Sequence, residues 1–509
     1  MKNLILSLVS LALGCSAYAQ LNTFNDGDTI SAEKMNQNFQ ALVNSNHIRA
    51  TAVNCGAGET INAAIANGFN DITISGTCSE NLLFSVWRED SSESEDATPT
   101  DKLAPRYLRL SGADTNAKIM DASSNTDSVI SVSGGTTLVL KGIIISGGQW
   151  GVSAARNSNL LMTKGVTVEG FIERGITVFD SSYLGVDEGG VTIQGGSSAN
   201  HGIYLEMGAD AWVHTTDISN VETGITLYGG SFLYLHDFAI NASIKGINFA
   251  KATVRQYGDG VGLIQGTSGS AVDVSGGIFE TSKEASFEIK NPSGNILGFW
   301  QSQGSVNNLK INAFDITGSG ESAIGIGMGS SVSLRSIEIS GSCNDNFIGV
   351  NSGSVVEIRD STIVATSSGR GINVVGSSYL NFRNSTISGT ATDGNLVNID
   401  SGSSAEIRDS TISGTVTNDS LVSINYGSYA EIRDSNVSGM VTGGDTVTIG
   451  SGSSVNLRGS TISGTASLDS MSLLSVTRGS SIGAVSCSGK SYASASDSTV
   501  PTLPDSCTQ

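Results

Sequence analysis

Residues 355–464 repeat a short pattern of apolar and polar positions. VVEIRDSTI, YLNFRNSTI, AEIRDSTI, AEIRDSNV and VNLRGSTI place Arg359, Arg383, Arg408, Arg433 and Arg458 at intervals of 24, 25, 25 and 25 residues. VSLRSIEIS puts Arg335 another 24 upstream. Within one unit the alternation is two. Ala405 and Ile407 point one way, Glu406 and Arg408 the other, which describes a strand with one buried face. Ile412 belongs to a second short strand. Val422 and Ile424 form a third, closed by Asn425, Tyr426 and Gly427. The same inward pair recurs as Ile372/Val374, Val397/Ile399, Val447/Ile449 and Leu474/Val476.

Three short strands and three turns per period make one coil of a β-solenoid. No helical period separates the strands, so βαβ units are excluded. The predicted fold is all-β, with coils of about 22–27 residues. Such a coil resembles that of the single-stranded right-handed parallel β-helix of secreted bacterial proteins in the pectin-lyase-like superfamily. The handedness is what this resemblance implies. From Tyr107 to about Val485 the period leaves room for fifteen or sixteen coils. Many carry a glycine before Ile or Val at the start of the third strand: Gly151-Val152, Gly175-Ile176, Gly202-Ile203, Gly224-Ile225 and Gly246-Ile247. The rhythm weakens between 250 and 310, around FWQSQGS, where a bulged or extended loop is expected.

Both ends read as caps. In VNCGAGETINAAIANGFNDITISGTCSENLLF, Ile61, Ala64 and Ile65 form an apolar helix stripe, Gly68 can stop the helix in a left-handed conformation, and Asp71–Ser75 alternates as a strand. This stretch is similar to the amino-terminal cap of many secreted β-helix proteins, whose helix covers core and strand edges. Residues 486–509 read as a disulfide-tied carboxyl-terminal cap. Residues 20–50 form a leader segment in which Ser31 caps a short helix with Met35, Phe39 and Leu42 on one face. Residues 87–106 interrupt the pattern with five acids between Glu89 and Asp96. They are expected to form a solvated surface loop, the one place where Ca²⁺ is conceivable, although no EF-hand spacing is present.

Residues 1–19 read as an export signal: Lys2, an apolar run from Leu4 to Leu13, and Ala17-Tyr18-Ala19 before the cleavage point. Cys15 is poorly placed for lipidation, because Ala12 and Leu13 fit the usual lipobox badly. No later apolar run reaches a membrane span. The expected location is extracellular, cell-surface or periplasmic. Cys55 and Cys78 lie 23 residues apart, about one coil, and stacked strands about 4.8 Å apart can be bridged. Cys487 and Cys507 are expected to close the other end, leaving Cys343 as a buried thiol. The net charge of −20 argues against nucleic acid and anionic membranes as partners.

Two columns could carry chemistry. Arg359, Arg383, Arg408, Arg433 and Arg458 should stack on one outer face. Glu357, Glu406 and Glu431, with Asp360, Asp409 and Asp434, supply counter-charge, so a lattice holding the coils in register is the first reading and an anionic-ligand stripe the second. Asn381 and Asn456 replace Glu and weaken the pairing there. Just before the glycine steps stand Trp150, Arg174, His201, Thr223 and Lys245, with Glu173 and Glu222 beside them. An exposed Trp150 would offer a stacking platform to a sugar ring, with Glu173, Arg174, His201 and Lys245 as polar neighbours. His214 and His236 are 22 residues apart and should stack, with Asp217 and Asp237 nearby. Two imidazoles at coil spacing do not by themselves make a metal site, and no cofactor is assigned.

Catalytic signatures are poor. Asn200-His201-Gly202 resembles the His-Gly of polygalacturonase-like enzymes, but the chain has no Asp-Asp pair. The Ca²⁺-binding aspartates of pectate lyases are not evident either. Thr390-x-Thr392, Thr415-x-Thr417, Met440-x-Thr442 and Thr465-x-Ser467 resemble the array of ice-binding solenoids, although Met440 interrupts it. The sequence therefore predicts an exported β-helix that binds a polysaccharide or cell-surface glycan, as an adhesin and without turnover. A polysaccharide lyase or glycoside hydrolase of the same fold is the alternative.

Overall fold

A computed structural model describes residues 48–84, 106–123, 127–187, 189–197, 199–290, 292–316, 322–500 and 503–507. The residues read as an export signal, those expected to form a leader helix with Met35, Phe39 and Leu42, and the acids between Glu89 and Asp96 lie outside the described residues. The rest is a β-solenoid of about 15 turns whose strands pair in parallel. Each strand pairs with its counterpart one coil away. Ala405 and Ile407, for example, lie opposite Ala430 and Ile432. Inward residues such as Ile358, Phe382, Ile407, Ile432 and Leu457 form one buried file.

The coil corners are closed by serine. The backbone N–H groups of Ser361, Ser385, Ser410, Ser435 and Ser460 each donate to the hydroxyl oxygen of the serine one coil later, at 3.1–3.2 Å. The hydroxyls of Ser361, Ser385, Ser410, Ser435 and Ser460 each donate back to the carbonyl of the arginine two residues earlier, at 2.6–3.1 Å. A second ladder runs through Ser330, Ser354, Ser378 and Ser403 at another corner. Turns cannot use the strand ladder, so their buried N–H groups need these side-chain acceptors. The residue before each serine of the first ladder is left-handed: Asp360, Asn384, Asp409, Asp434 and Gly459 have φ between 46° and 59°. Asn, Asp and Gly tolerate that conformation best.

The amino-terminal cap forms as expected. Helix Ile61–Ala66 is capped by Thr60, whose hydroxyl accepts from Ala63 N, and Gly68 follows at φ 82°. Glu80 accepts from Ile61 N and Asn62 N at 2.7 and 3.0 Å, placing a carboxylate at the helix start. Asn81 donates to Asp121 and to Ser128 O, which ties the cap to the following coils. Cys55–Cys78 and Cys487–Cys507 are disulfides. Cys343 is a buried thiol that donates to Asn346 O at 3.4 Å.

Two expectations are corrected. FWQSQGS is not an extended loop: Leu297–Trp300 and Gln303–Asn307 are strands in register with their neighbours, and Ser302 sits in the corner ladder. The irregularity falls later, as a register shift between Ile311 and Phe314. The apparent break arose because aromatic Phe299 fills an aliphatic file position and Gly298 and Gly304 replace larger neighbours. Asp210–Tyr228 and Phe232–Ala250 are each one continuous 19-residue strand and not three short ones. These coils turn their corners by bending, with a register shift around Val221 and Asn220 at φ 56°.

Removing one hydroxyl from the serine ladder strands a buried donor in the coil before it. Ser410→Ala is expected to lower stability by about 1–3 kcal/mol, the cost of an unsatisfied buried N–H. Half-buried Ser413→Ala should stay within about 0.5 kcal/mol. Urea midpoints at fixed m-value check the pair.

Candidate functional site

The column before the glycine steps is in register. Trp150 lies opposite Arg174, Arg174 opposite His201, His201 opposite Thr223, and Thr223 opposite Lys245. The glycines are required by close approach. A Cβ on Gly202 would sit 2.5 Å from Ile218 Cγ2 and 2.6 Å from Gly224 O, and one on Gly224 would sit 2.3 Å from Ile240 Cγ2. The chain is thus drawn inward there, and the preceding side chains line the outer edge of the third-strand face.

Trp150, Glu173, Arg174 and His201 form one cluster. The Trp150 indole N–H donates to Glu173 Oε2 at 3.2 Å, and Gln149 Nε2 donates to the same oxygen at 2.9 Å. Arg174 pairs with Glu173 Oε1 at 3.1 Å. Its guanidinium lies 5.2 Å from the Trp150 ring centre and 3.9 Å from that of Tyr204. Trp150 is therefore half-buried under Arg174, not the openly exposed ring the sequence predicts. The carboxylate of Glu173 contacts both the tryptophan and the guanidinium and holds them in place, while Arg174 Nε is buried without a partner.

His201 Nδ1 lies 3.0 Å from Thr226 Oγ1, and its ring packs 5.4 Å from Tyr204. Burial pushes His201 below the ordinary histidine value; the Arg174 charge adds to this and Glu173 opposes it. Tyr204 is pushed up to about 12, first by burial and then by the charge of Glu206, to which its hydroxyl donates at 3.2 Å. At neutral pH His201 is thus uncharged and Tyr204 protonated.

Lys245 stands apart from this cluster, four coils beyond Trp150, roughly 19 Å at strand spacing. It pairs with Asp273 at 2.7 Å and donates to Asn248 at 3.3 Å. Asn248 in turn donates to the Tyr228 hydroxyl, and Tyr228 packs 5.9 Å from Tyr204. These residues link the two ends of the column. Further along, the Trp300 indole lies across Gly325 and Gly327: a Cβ on Gly327 would meet it at 2.7 Å. Tyr204, Tyr228, Asn248, Asp273 and Trp300 escaped the sequence reading. Their signal was available for the first four, which occupy outward positions on the third strand. Trp300 lay in the stretch read as a loop.

The arginine column is also in register, from Arg335 through Arg359, Arg383, Arg408 and Arg433 to Arg458. Every member has an acid. Arg335 and Arg359 share Glu357, Arg383 and Arg408 share Glu406, Arg433 pairs with Asp434, and Arg458 reaches back to Glu431 at 3.3 Å. Arg383 also donates to Asn381 Oδ1 at 2.7 Å, so the asparagine keeps a contact but no charge. Glu357 sits below the ordinary glutamate value: partial burial pushes it up, but hydrogen bonds from Arg335 and Ser333 outweigh this. The geometry favours a register lattice. Thr390 and Thr415 share a column that Met440 continues, exposed, so the threonine array is short. His214 and His236 stack at 4.3 Å, and Asp237 is the acid that joins them.

No protein-family profile matches the chain, and no curated protein matches it. Among solved structures, a chain of the cryo-EM structure of the Vag8–C1 inhibitor complex is similar over 85% of this chain and 100% of that one, with 12% identity and a TM-score of 0.42. The solenoid assignment rests on the strand register and not on this likeness. Among the described residues, no helix is long and apolar enough to cross a membrane.

The His201 environment makes a pH prediction. An unfolded chain takes up the proton near the ordinary value of about 6.5, and the folded chain only at lower pH. The unfolded state therefore binds more protons in that window. The stability that neutral His201 contributes is whole above about pH 6.5 and is lost as pH falls through the folded value. Imidazole proton shifts should titrate with a midpoint below 6.5. Arg174→Gln should raise that midpoint and Glu173→Gln lower it.

Proposed function

We propose that this is an exported β-helix protein that binds a glycan or glycan-coated surface along the third-strand face, without turning it over. The observation that carries the reading is the joined cluster of Trp150, Glu173, Arg174 and His201, extended by Tyr204 and Tyr228. Sugar recognition calls for flat apolar faces beside fixed hydrogen-bonding groups, and this edge sets the half-buried rings of Trp150 and Tyr228 beside such groups on a rigid support. From Trp150 to Trp300 the face runs six coils, roughly 29 Å at strand spacing, enough for an extended chain of several sugar units. Two disulfides at the two ends support export to an oxidising compartment. The net charge of −20 disfavours a polyanion over most of the surface, so an anionic group is best received beside Arg174.

A polysaccharide lyase or hydrolase is the second reading, favoured by one observation: Glu173, Arg174 and uncharged His201 meet in one place. Proton transfer to a sugar needs such a carboxylate and base within reach of each other. Against it, Tyr204 is pushed up to about 12 and so stays protonated at neutral pH, where it cannot accept a proton.

Retention and chain shortening should be scored on immobilised polyuronates, sulfated glycans and neutral glycans. Trp150→Ala should weaken retention by about tenfold while leaving the melting transition within a few degrees, because an edge residue supplies little core. Arg174→Ala should weaken an anionic glycan more than a neutral one, with a gap that closes as salt rises. His201→Ala should reduce retention modestly. Loss of chain shortening in that variant with retention intact would establish the enzyme reading instead. Unchanged retention of every glycan by the Trp150→Ala, Arg174→Ala double variant would overturn binding at this edge.

A further inference from the structure

A second constellation lies at a different corner, between the first and second strands of the coils. His214 follows Val213, and His236 follows Leu235 one coil on. Their rings stack with centres 4.3 Å apart and planes 21° from parallel. Asp237 stands opposite Thr215, beside both. One ligand atom from each of His214, His236 and Asp237 lies within 4.8 Å of the other two.

The hydrogen bonding of His236 is incomplete. Its Nε2 meets Asp259 Oδ1 at 3.3 Å in hydrogen-bonding geometry. Its Nδ1 is buried and 3.3 Å from Asp237 Oδ2, but makes no hydrogen bond. A neutral imidazole has one N–H. If Nε2 donates it to Asp259, the Nδ1 lone pair faces a carboxylate oxygen, which is repulsive without a cation between them. Only 16% of the His236 side chain is exposed, so water is poorly placed to relieve this. The loop Tyr257–Gly260 closes over the ring: Tyr257 packs 5.1 Å from it, and a Cβ on Gly258 would lie 3.3 Å from its Nε2.

We propose that His214, His236 and Asp237 bind one divalent transition-metal ion of the zinc type. His236 ligates through Nδ1, Asp237 through a carboxylate oxygen, and His214 through a ring nitrogen. Asp259 accepts the Nε2 proton of His236 and so holds its tautomer and orientation, as outer carboxylates do around metal-bound histidines. Bonds of about 2.0–2.2 Å would draw the three ligand atoms closer than they stand here, through small side-chain rotations on two strands already in register. Two imidazoles and one carboxylate suit Zn²⁺, Co²⁺, Ni²⁺ or Cu²⁺ and not Ca²⁺ or Mg²⁺, which take oxygen. Three protein ligands leave a fourth position for water or for a donor atom of another molecule.

The test titrates the full chain with Co²⁺, read by visible absorption, and with Zn²⁺ in competition and thermal melts. The expected result is one Co²⁺ per chain with intense visible bands, displaced by Zn²⁺, and a melting temperature that climbs with Zn²⁺ concentration. Ca²⁺ should do neither. His214→Ala, His236→Ala and Asp237→Asn should each weaken binding by at least about tenfold, and Asp259→Asn by a smaller factor. The two other histidines serve as controls, and His47→Ala and His201→Ala should bind as the parent does. Asp237→Asn keeps shape and decides the matter if a histidine variant fails to fold. Absence of Co²⁺ uptake below about 1 mM, or uptake unchanged in the His214→Ala, His236→Ala double variant, would overturn the proposal.

Discussion

Everything in this molecule depends on parallel strands stacked in register, one coil apart. A strand in that position is paired along both edges, so its backbone is satisfied by its neighbours and its side chains meet their own equivalents. The core is therefore a set of files, such as Ile358, Phe382, Ile407, Ile432 and Leu457, and not a jigsaw of unlike shapes. The same rule governs the surface. Any outward residue type that recurs becomes a column, and a column of charge must be neutralised within it.

Two solutions to that demand appear along the axis. Between residues 335 and 458 each arginine of the column meets a carboxylate on its own coil or a neighbouring one, and that face becomes a repetitive lattice with its charges spent on one another. Between 150 and 300 the residues of the edge column differ from coil to coil. Trp150, Arg174, His201, Thr223 and Lys245 are unlike, and their partners reach across the strand to Glu173, Tyr204, Asn248 and Asp273. Irregular columns present a particular surface to a ligand. Regular ones hold the rod together. The two acceptor-rich sides of His236 belong to the irregular half as well.

Periodicity made the architecture legible. The arginine spacing, the inward pairs and the glycine steps together predict coils, their number and the in-register columns, while coil spacing predicts the Cys55–Cys78 bridge and position at the carboxyl end the Cys487–Cys507 bridge. What the sequence hid depends on contacts across the strand. Tyr204 and Asn248 are outward residues on strands whose inward residues drew the eye, and their importance appears only once Arg174 and Lys245 are seen to bend toward them. Trp300 was hidden because aromatic and glycine substitutions blurred the period in just the coils where the face carries its last ring. The sequence reads Asp360, Asp409 and Asp434 of the lattice coils as counter-charge to the arginines, and of the three only Asp434 is paired with one. In fact the aspartate supplies a left-handed bend and the serine a buried acceptor for the coil before it.

The serine ladders have a direction. At each step the N–H of one coil points to the hydroxyl of the next, always toward the carboxyl end. An unfinished stack therefore exposes donors at its growing face, and an arriving coil brings the acceptor that matches them. The amino-terminal cap, with its disulfide and its Glu80-braced helix, is the surface from which such templating can begin as a chain emerges in order. The rod is thus polar along its axis, with donors from the ladder facing one end and acceptors facing the other.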